Sequence, residues 1–116
     1  MFKAMMMLVA ALAVSGCAAV PLSADRLERD EASMRAAAEL GAARVPAAKL
    51  HLQMARDQTD TAKRMAASGN ERAPLVLARA ESDAELAVGM AREAAIHVDA
   101  LKAAEDLSAV QARGDR

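Results

Sequence analysis

Residues 73–101, APLVLARAESDAELAVGMAREAAIHVDAL, decide the fold. Within them Ala73, Leu77, Ala80, Ala84, Ala87, Ala91, Ala94, Val98 and Leu101 follow one another at alternating spacings of four and three. Alternating steps of four and three keep side chains on one face of an α-helix, and a face sustained this long is a coiled-coil seam. The next seam position is Glu105, so the packed part is expected to end near there. The pattern predicts a helix from about Glu71 to Ala112, roughly 60 Å long at 1.5 Å per residue. Gly89 falls inside it, at a cost of about 1 kcal/mol relative to Ala. It either marks a close approach of the first helix or has no role.

Upstream, Ser68-Gly69-Asn70 is a stop and a start together: Gly69 closes one helix and Asn70 caps the next. Pro74 then lies in a first turn, where its missing N–H removes no ladder bond. The preceding helix is predicted from Pro46, a residue suited to the first helical position, to Ala67. Its own seam is Ala48, Leu52, Ala55, Thr59, Ala62 and Ala66, again at steps of four and three. Two alanine-rich seams joined by so short a turn are expected to pack closely and antiparallel. A first helix is predicted from an N-cap at Ser23 to Leu40, stopped by Gly41. Its apolar face is Leu27, Met34, Ala37 and Ala38, and Asp25/Arg29, Glu31/Arg35 and Arg35/Glu39 are candidate i,i+4 ion pairs. The expected fold is all-α, with three helices, the second and third forming a long antiparallel alanine-rich hairpin.

Composition fits such a fold. The chain has 116 residues and a formal net charge of −1, so no basic patch for nucleic acid stands out. Hydrophobic residues make up 54%, but many are alanine, which buries little area; the core is therefore thin. There is no Trp or Tyr, and the single Phe is Phe2. Aromatic pockets and base-stacking surfaces are thus excluded from residues 17–116.

The N-terminus reads as an export signal. Lys3 precedes an apolar stretch, Ala4–Val14, of about 11 residues, where a bilayer span needs roughly 20. The stretch runs into Val14-Ser15-Gly16-Cys17, which resembles a bacterial lipobox: a branched apolar residue, two small residues and the only cysteine of the chain. In that class Val14, Ser15 and Gly16 are read by the signal peptidase, and the Cys17 thiol takes up the lipid. The resemblance implies residues 1–16 as a signal peptide, 17–22 as a lipidated N-terminus with a short tether, 23–112 as the helical domain and 113–116 as a tail. Multiple acyl chains on Cys17 give a stable membrane anchor where one chain gives only a marginal one. Ala18, where lipoproteins retained at the inner membrane often carry Asp, favours by analogy the periplasmic side of the outer membrane.

Candidate chemistry is sparse. His51 and His97 with Asp99 do not supply the three or four convergent ligands that zinc requires, so boundary or surface histidines are expected. Glu81, Asp83 and Glu85 lie two apart on a helix and point away from one another, which suits a solvated face. Met54, Met65 and Met90 are read as ordinary packing before an adaptable groove. No nucleophile–base array, phosphate loop or paired carboxylates are recognisable, and Arg113-Gly114-Asp115 is read as coincidence. Neither an enzyme nor a metal or organic cofactor is expected, apart from the covalent lipid on Cys17.

Residues 36–95 resemble a family of bacterial envelope proteins, domain of unknown function 4398. The likeness is carried by Gly41-Ala42, Pro46, Ala55, Gly69-Asn70 and the stretch LARAESDAELA, with Asp83-Ala84 and Leu86-Ala87. The family's members are commonly lipoproteins, and it assigns no catalytic residue. The expected function is a structural or adaptor element at the outer membrane, with an envelope protein or a second copy as partner. A ligand-sequestering or chaperone-like binding module is the alternative.

Overall fold

The computed structural model describes residues 18–114 and is all-helical over them: α1 (Ala24–Glu39), a single 3-10 turn (Ala42–Arg44), α2 (Pro46–Ala67) and α3 (Ala73–Gly114). The signal segment, Val14-Ser15-Gly16 and the lipidation candidate Cys17 lie outside the described residues, as do Asp115 and Arg116.

Each boundary has a local cause. Ser23 Oγ accepts the Arg26 N–H at the start of α1. At the end of α2 the Asn70 N–H reaches the Met65 carbonyl at 2.9 Å and the Gly69 N–H reaches Ala66 at 3.1 Å. This is the Schellman arrangement, with Gly69 at φ +78° where a Cβ would be strained. Asn70 Oδ1 then accepts the Arg72 N–H at 2.9 Å, and α3 begins one residue before Pro74.

α2 and α3 form the antiparallel hairpin. Counted outward from the turn, the buried positions of α2 are Ala66, Ala62, Thr59, Ala55, Leu52 and Ala48. Those of α3 on its seam are Ala73, Leu77, Ala80, Ala84, Ala87 and Ala91, six against six in matched order. Small side chains at these positions let two helices approach to the short end of the usual range, about 8 Å. α1 completes the bundle. It runs alongside the first half of α3, since Arg26 near its start meets Glu81 while Ala37 near its end clusters with Ala48, Leu52, Ala87 and Ala91.

The seam does not continue as a packed face to Leu101: Ala94 is half-buried, while Val98 is 62% and Leu101 54% exposed. The reason is length. α2 has 22 residues and α3 has 42, so close packing by a partner tied to the turn ends near Ala91, and only residues 40–47 reach further. On α1, Ala38 is exposed, and the buried position beside Ala37 is Asp30, a carboxylate. Among the described residues the ion pairs join different helices, and none is an i,i+4 pair within α1. Gly89 is exposed, and a Cβ there would touch nothing, so it marks no close approach.

Leu77 and Leu101 share one seam by sequence but not by burial, at 0% and 54% exposure. Leu77→Ala is expected to destabilise the fold by about 3 kcal/mol, in the range of cavity-forming core truncations. Leu101→Ala is expected to cost less than about 0.5 kcal/mol, as a surface change. Urea unfolding followed by circular dichroism checks both; equal losses would mean that the seam is packed along its whole length.

Candidate functional site

Among the described residues, the polar side chains at the interior of the bundle form two clusters, one between α1 and α2 and one between α2 and α3. The first begins with Asp30, which is 1% exposed although it is a carboxylate. Its Oδ2 lies 2.5 Å from Thr59 Oγ1, and its Oδ1 has no protein partner. Thr59 Oγ1 also lies 2.8 Å from the Ala55 carbonyl, which a hydroxyl can reach only by donating. A hydroxyl has one proton and can give a full, linear hydrogen bond to only one of them. Both contacts are satisfied together only if Asp30 is protonated and donates to Thr59, which then donates to Ala55. Burial works in the same direction: it raises the Asp30 pKa above the ordinary carboxylate value, against the Thr59 hydrogen bond and with the help of Glu81 and Glu31.

Around this pair are two interhelical ion pairs. The Arg26 guanidinium is bidentate on Glu81, with Nε at 2.9 Å and Nη2 at 2.5 Å, tying α1 to α3. Lys63 Nζ lies 2.8 Å from Glu31, tying α2 to α1. The Lys63 hydrogen bond holds the Glu31 carboxyl below its usual value. A small cleft of about 220 Å³ opens beside Asp30, lined by Arg26, Arg29, Ser33, Glu81 and Glu85.

The second cluster joins α2 to α3. His51 Nδ1 is 2.7 Å from Asp83 Oδ1, and Gln58 Nε2 donates to Asp83 Oδ2 at 2.8 Å. Asp83 is buried, and Gln58 Oε1 has no protein partner. The acidic trio of α3 is therefore not a solvated face: Glu81 and Asp83 are interhelical partners, and only Glu85 is exposed. His51 is a boundary histidine, as expected, and His97 is exposed. A His–Asp pair can orient an imidazole as a base, but no serine, threonine or cysteine hydroxyl or thiol is bonded to His51 among the described residues. No group of three or more His, Cys, Asp or Glu side chains among them could hold a metal ion. No helix among them is long and apolar enough to cross a membrane.

The remaining feature is a surface. Where α3 leaves the bundle, a shallow groove of about 610 Å³ is lined by Val45, Ala47, Met90, Ala94, Ile96 and Ala100, with His97 and Glu93 at its edge. Met90 takes part; Met54 and Met65 do not, so the three methionines form no common surface. Beyond it α3 continues to Gly114 with Ile96, Val98, Leu101, Leu107 and Val110 exposed. Asp30 and Asp83 were not legible as interior residues, because an aspartate on a helix face reads as solvated. The one available signal was the position of Asp30, seven residues before Ala37 and four before Met34 on the same face.

Asp30→Asn is expected to be neutral or stabilising at neutral pH, since it removes a buried ionisable group without changing shape. Because the folded pKa of Asp30 is raised, stability from this group grows as pH falls through that value toward the unfolded one near 4, and is absent above it. The wild-type protein should therefore gain on Asp30→Asn as pH is lowered from neutral, in urea melts across that window. Thr59→Val leaves Asp30 without a partner and is expected to cost about 1–3 kcal/mol. A pH-independent difference between wild type and Asp30→Asn would contradict the protonated pair.

Comparison of the chain with protein families, with characterised proteins and with solved structures gives no match.

Proposed function

We propose that the chain is a non-enzymatic envelope lipoprotein, anchored through Cys17 at the periplasmic side of the outer membrane, that serves as a structural or adaptor element. The observation that carries this reading is a single backbone hydrogen bond. The Val20 N–H reaches the Ala66 carbonyl at 2.9 Å, which pins the tether to the end of the bundle that bears the 68–70 turn. Val20 is three residue steps from Cys17, a reach of at most about 11 Å. A lipid on Cys17 thus holds the turn end near the bilayer. α3 extends from that end for about 63 Å at 1.5 Å per residue. Its free, apolar-bearing part is then presented at the far end, where a partner can reach it.

The lipobox-like Val14-Ser15-Gly16-Cys17 and the resemblance to domain of unknown function 4398 support the same reading. The polar clusters of the bundle fit it as well, since both hold helices together. A second reading, a binding module for apolar ligands, is favoured by the groove beside Met90 and Ile96. Enhanced fluorescence of an anilinonaphthalene sulfonate probe, lost on Ile96→Asp, is the result expected of it.

Two measurements test the first reading. Wild-type chain expressed in a bacterium is expected to incorporate labelled palmitate and to be processed, and Cys17→Ser is expected to do neither. Processing of the Cys17→Ser variant as in wild type would overturn the anchor. In vesicles carrying the lipidated protein, a fluorophore on Ser68→Cys should be quenched by a headgroup quencher and one on Val110→Cys should not. The reverse order would overturn the orientation.

A further inference from the structure

The last part of α3 has an apolar face that its own bundle does not cover. Ile96, Ala100, Ala103, Leu107 and Val110 recur at steps of four and three, followed by Gly114, and all are exposed. This stripe is not the continuation of the hairpin seam. Ile96 and Val98 lie about 160° apart on a helix, so the stripe faces away from the hairpin seam, and only its Ile96 and Ala100 end borders the start of α2. The old seam breaks at Glu105, while the new one continues to the end of the helix. A helix of about 20 residues standing alone in water is marginal, and this one also exposes Ile, Leu and Val.

We infer that residues 96–114 of α3 pair with the same residues of a second copy as an antiparallel two-helix interface. The choice of occupant and direction comes from size and charge. In an antiparallel pairing centred near residue 105, Ile96 meets Gly114 of the second copy, Ala100 meets Val110, and Ala103 meets Leu107. Each large side chain then faces a small one, and the same contacts repeat by the two-fold axis. In a parallel pairing each residue meets itself, so alanine faces alanine at two layers and leaves gaps.

Charge points the same way. Asp99, Asp106 and Arg113 recur every seven residues along one flank of the stripe, and His97, Ala104 and Gln111 along the other. Antiparallel pairing brings like flanks together. Asp99 meets Arg113 of the second copy twice, against one Asp106–Asp106 contact near the axis. Ala104 meets Ala104 on the other flank, where small side chains allow a close approach. Parallel pairing sets Asp99 against Ala104 and Asp106 against Gln111, with no opposite charges. Shifting the antiparallel register inward by one heptad opposes Asp99 to Asp106 twice. The groove of Val45, Ala47 and Met90 shares Ile96 and Ala100 with the stripe, and it receives the end of the second copy's α3.

The interface spans about 27 Å of each helix, a footprint at the small end of specific interfaces, so the dimer is weak and reversible. Its geometry has a consequence for an anchored protein. The two turn ends are held about 95 Å apart, at 1.5 Å per residue from residue 73 to the centre of each α3. With each turn end at a bilayer and each free end away from it, two anchored copies therefore join two facing membrane surfaces. The pairing itself does not rest on the lipid anchor, and the test dispenses with it.

The full chain carrying Cys17→Ser is used, so that an introduced cysteine is the only thiol. Under mild oxidation Ala104→Cys is expected to give a disulfide dimer. Ala100→Cys, whose copies lie about 15 Å apart along the axis, is expected to stay monomeric. Leu107→Glu should abolish cross-linking through position 104 while helix content by circular dichroism is unchanged, since Leu107 lies outside the bundle. Sedimentation should show Arg113→Asp weakening the dimer on the order of tenfold, with Asp99→Arg in the same chain restoring it. Cross-linking through position 100 in place of 104 would mean a parallel pair and overturn the inference. So would failure of position 104 to cross-link at any concentration, the result expected if a different helix is the partner. Cross-linking through 104 that survives Leu107→Glu would also overturn it.

Discussion

The structure depends on the close approach of two alanine-lined helix faces whose register is set by one turn. The Gly69 conformation and the Asn70 bonds to Met65 and Arg72 leave no slack between α2 and α3. Six small or medium positions on one helix therefore fall opposite six on the other. Alanine contributes little buried area per residue, and among the described residues Leu77 is the only large apolar side chain fully enclosed. Dispersion at short separation has to do what bulky side chains do elsewhere, and any side chain larger than alanine at most of these positions forces the helices apart. The same register determines where packing ends, because α2 is about half as long as α3.

A core this thin leaves α1 with few apolar contacts, and polar groups fix its position. Asp30 on Thr59, Arg26 on Glu81 and Glu31 on Lys63 each connect α1 to a different place on the hairpin. Nonspecific apolar association would let α1 slide or rotate; three directional contacts do not. Burying Asp30 costs stability as a carboxylate and much less as a neutral acid, which is why its proton and the Thr59 hydroxyl belong to one arrangement. His51, Asp83 and Gln58 act in the same way between α2 and α3.

Most of the architecture was legible in the spacing of small residues. The α2 seam from Ala48 to Ala66 and the α3 seam from Ala73 to Ala91 were readable because steps of four and three are a geometric property of the helix, independent of side-chain size. The end of the packed region is not legible in the same way, because periodicity records which face is apolar, not whether anything lies against it. Val98 and Leu101 continue the pattern after the partner has stopped. The information was present as helix length, since 22 residues folded back from the turn cannot cover 42. Asp30, Asp83 and Glu81 were hidden for another reason: their burial is decided by Thr59, His51 and Arg26 on other helices, and helix-to-helix partnerships leave no periodic trace. The Ile96–Val110 stripe is a weaker signal in the sequence than the alanine seam it follows.

The central claim is that α3 is one continuous helix packed only over its first half. Amide hydrogen exchange resolved along the full chain, at a concentration dilute enough to keep it monomeric, tests this directly. Residues 77–91 are expected to exchange slowly, through cooperative opening of the bundle. Residues 98–114 are expected to exchange orders of magnitude faster, with the break near Ala94, because their hydrogen bonds lack tertiary cover. Uniform slow exchange from residue 77 through residue 110 in the monomer would contradict the account.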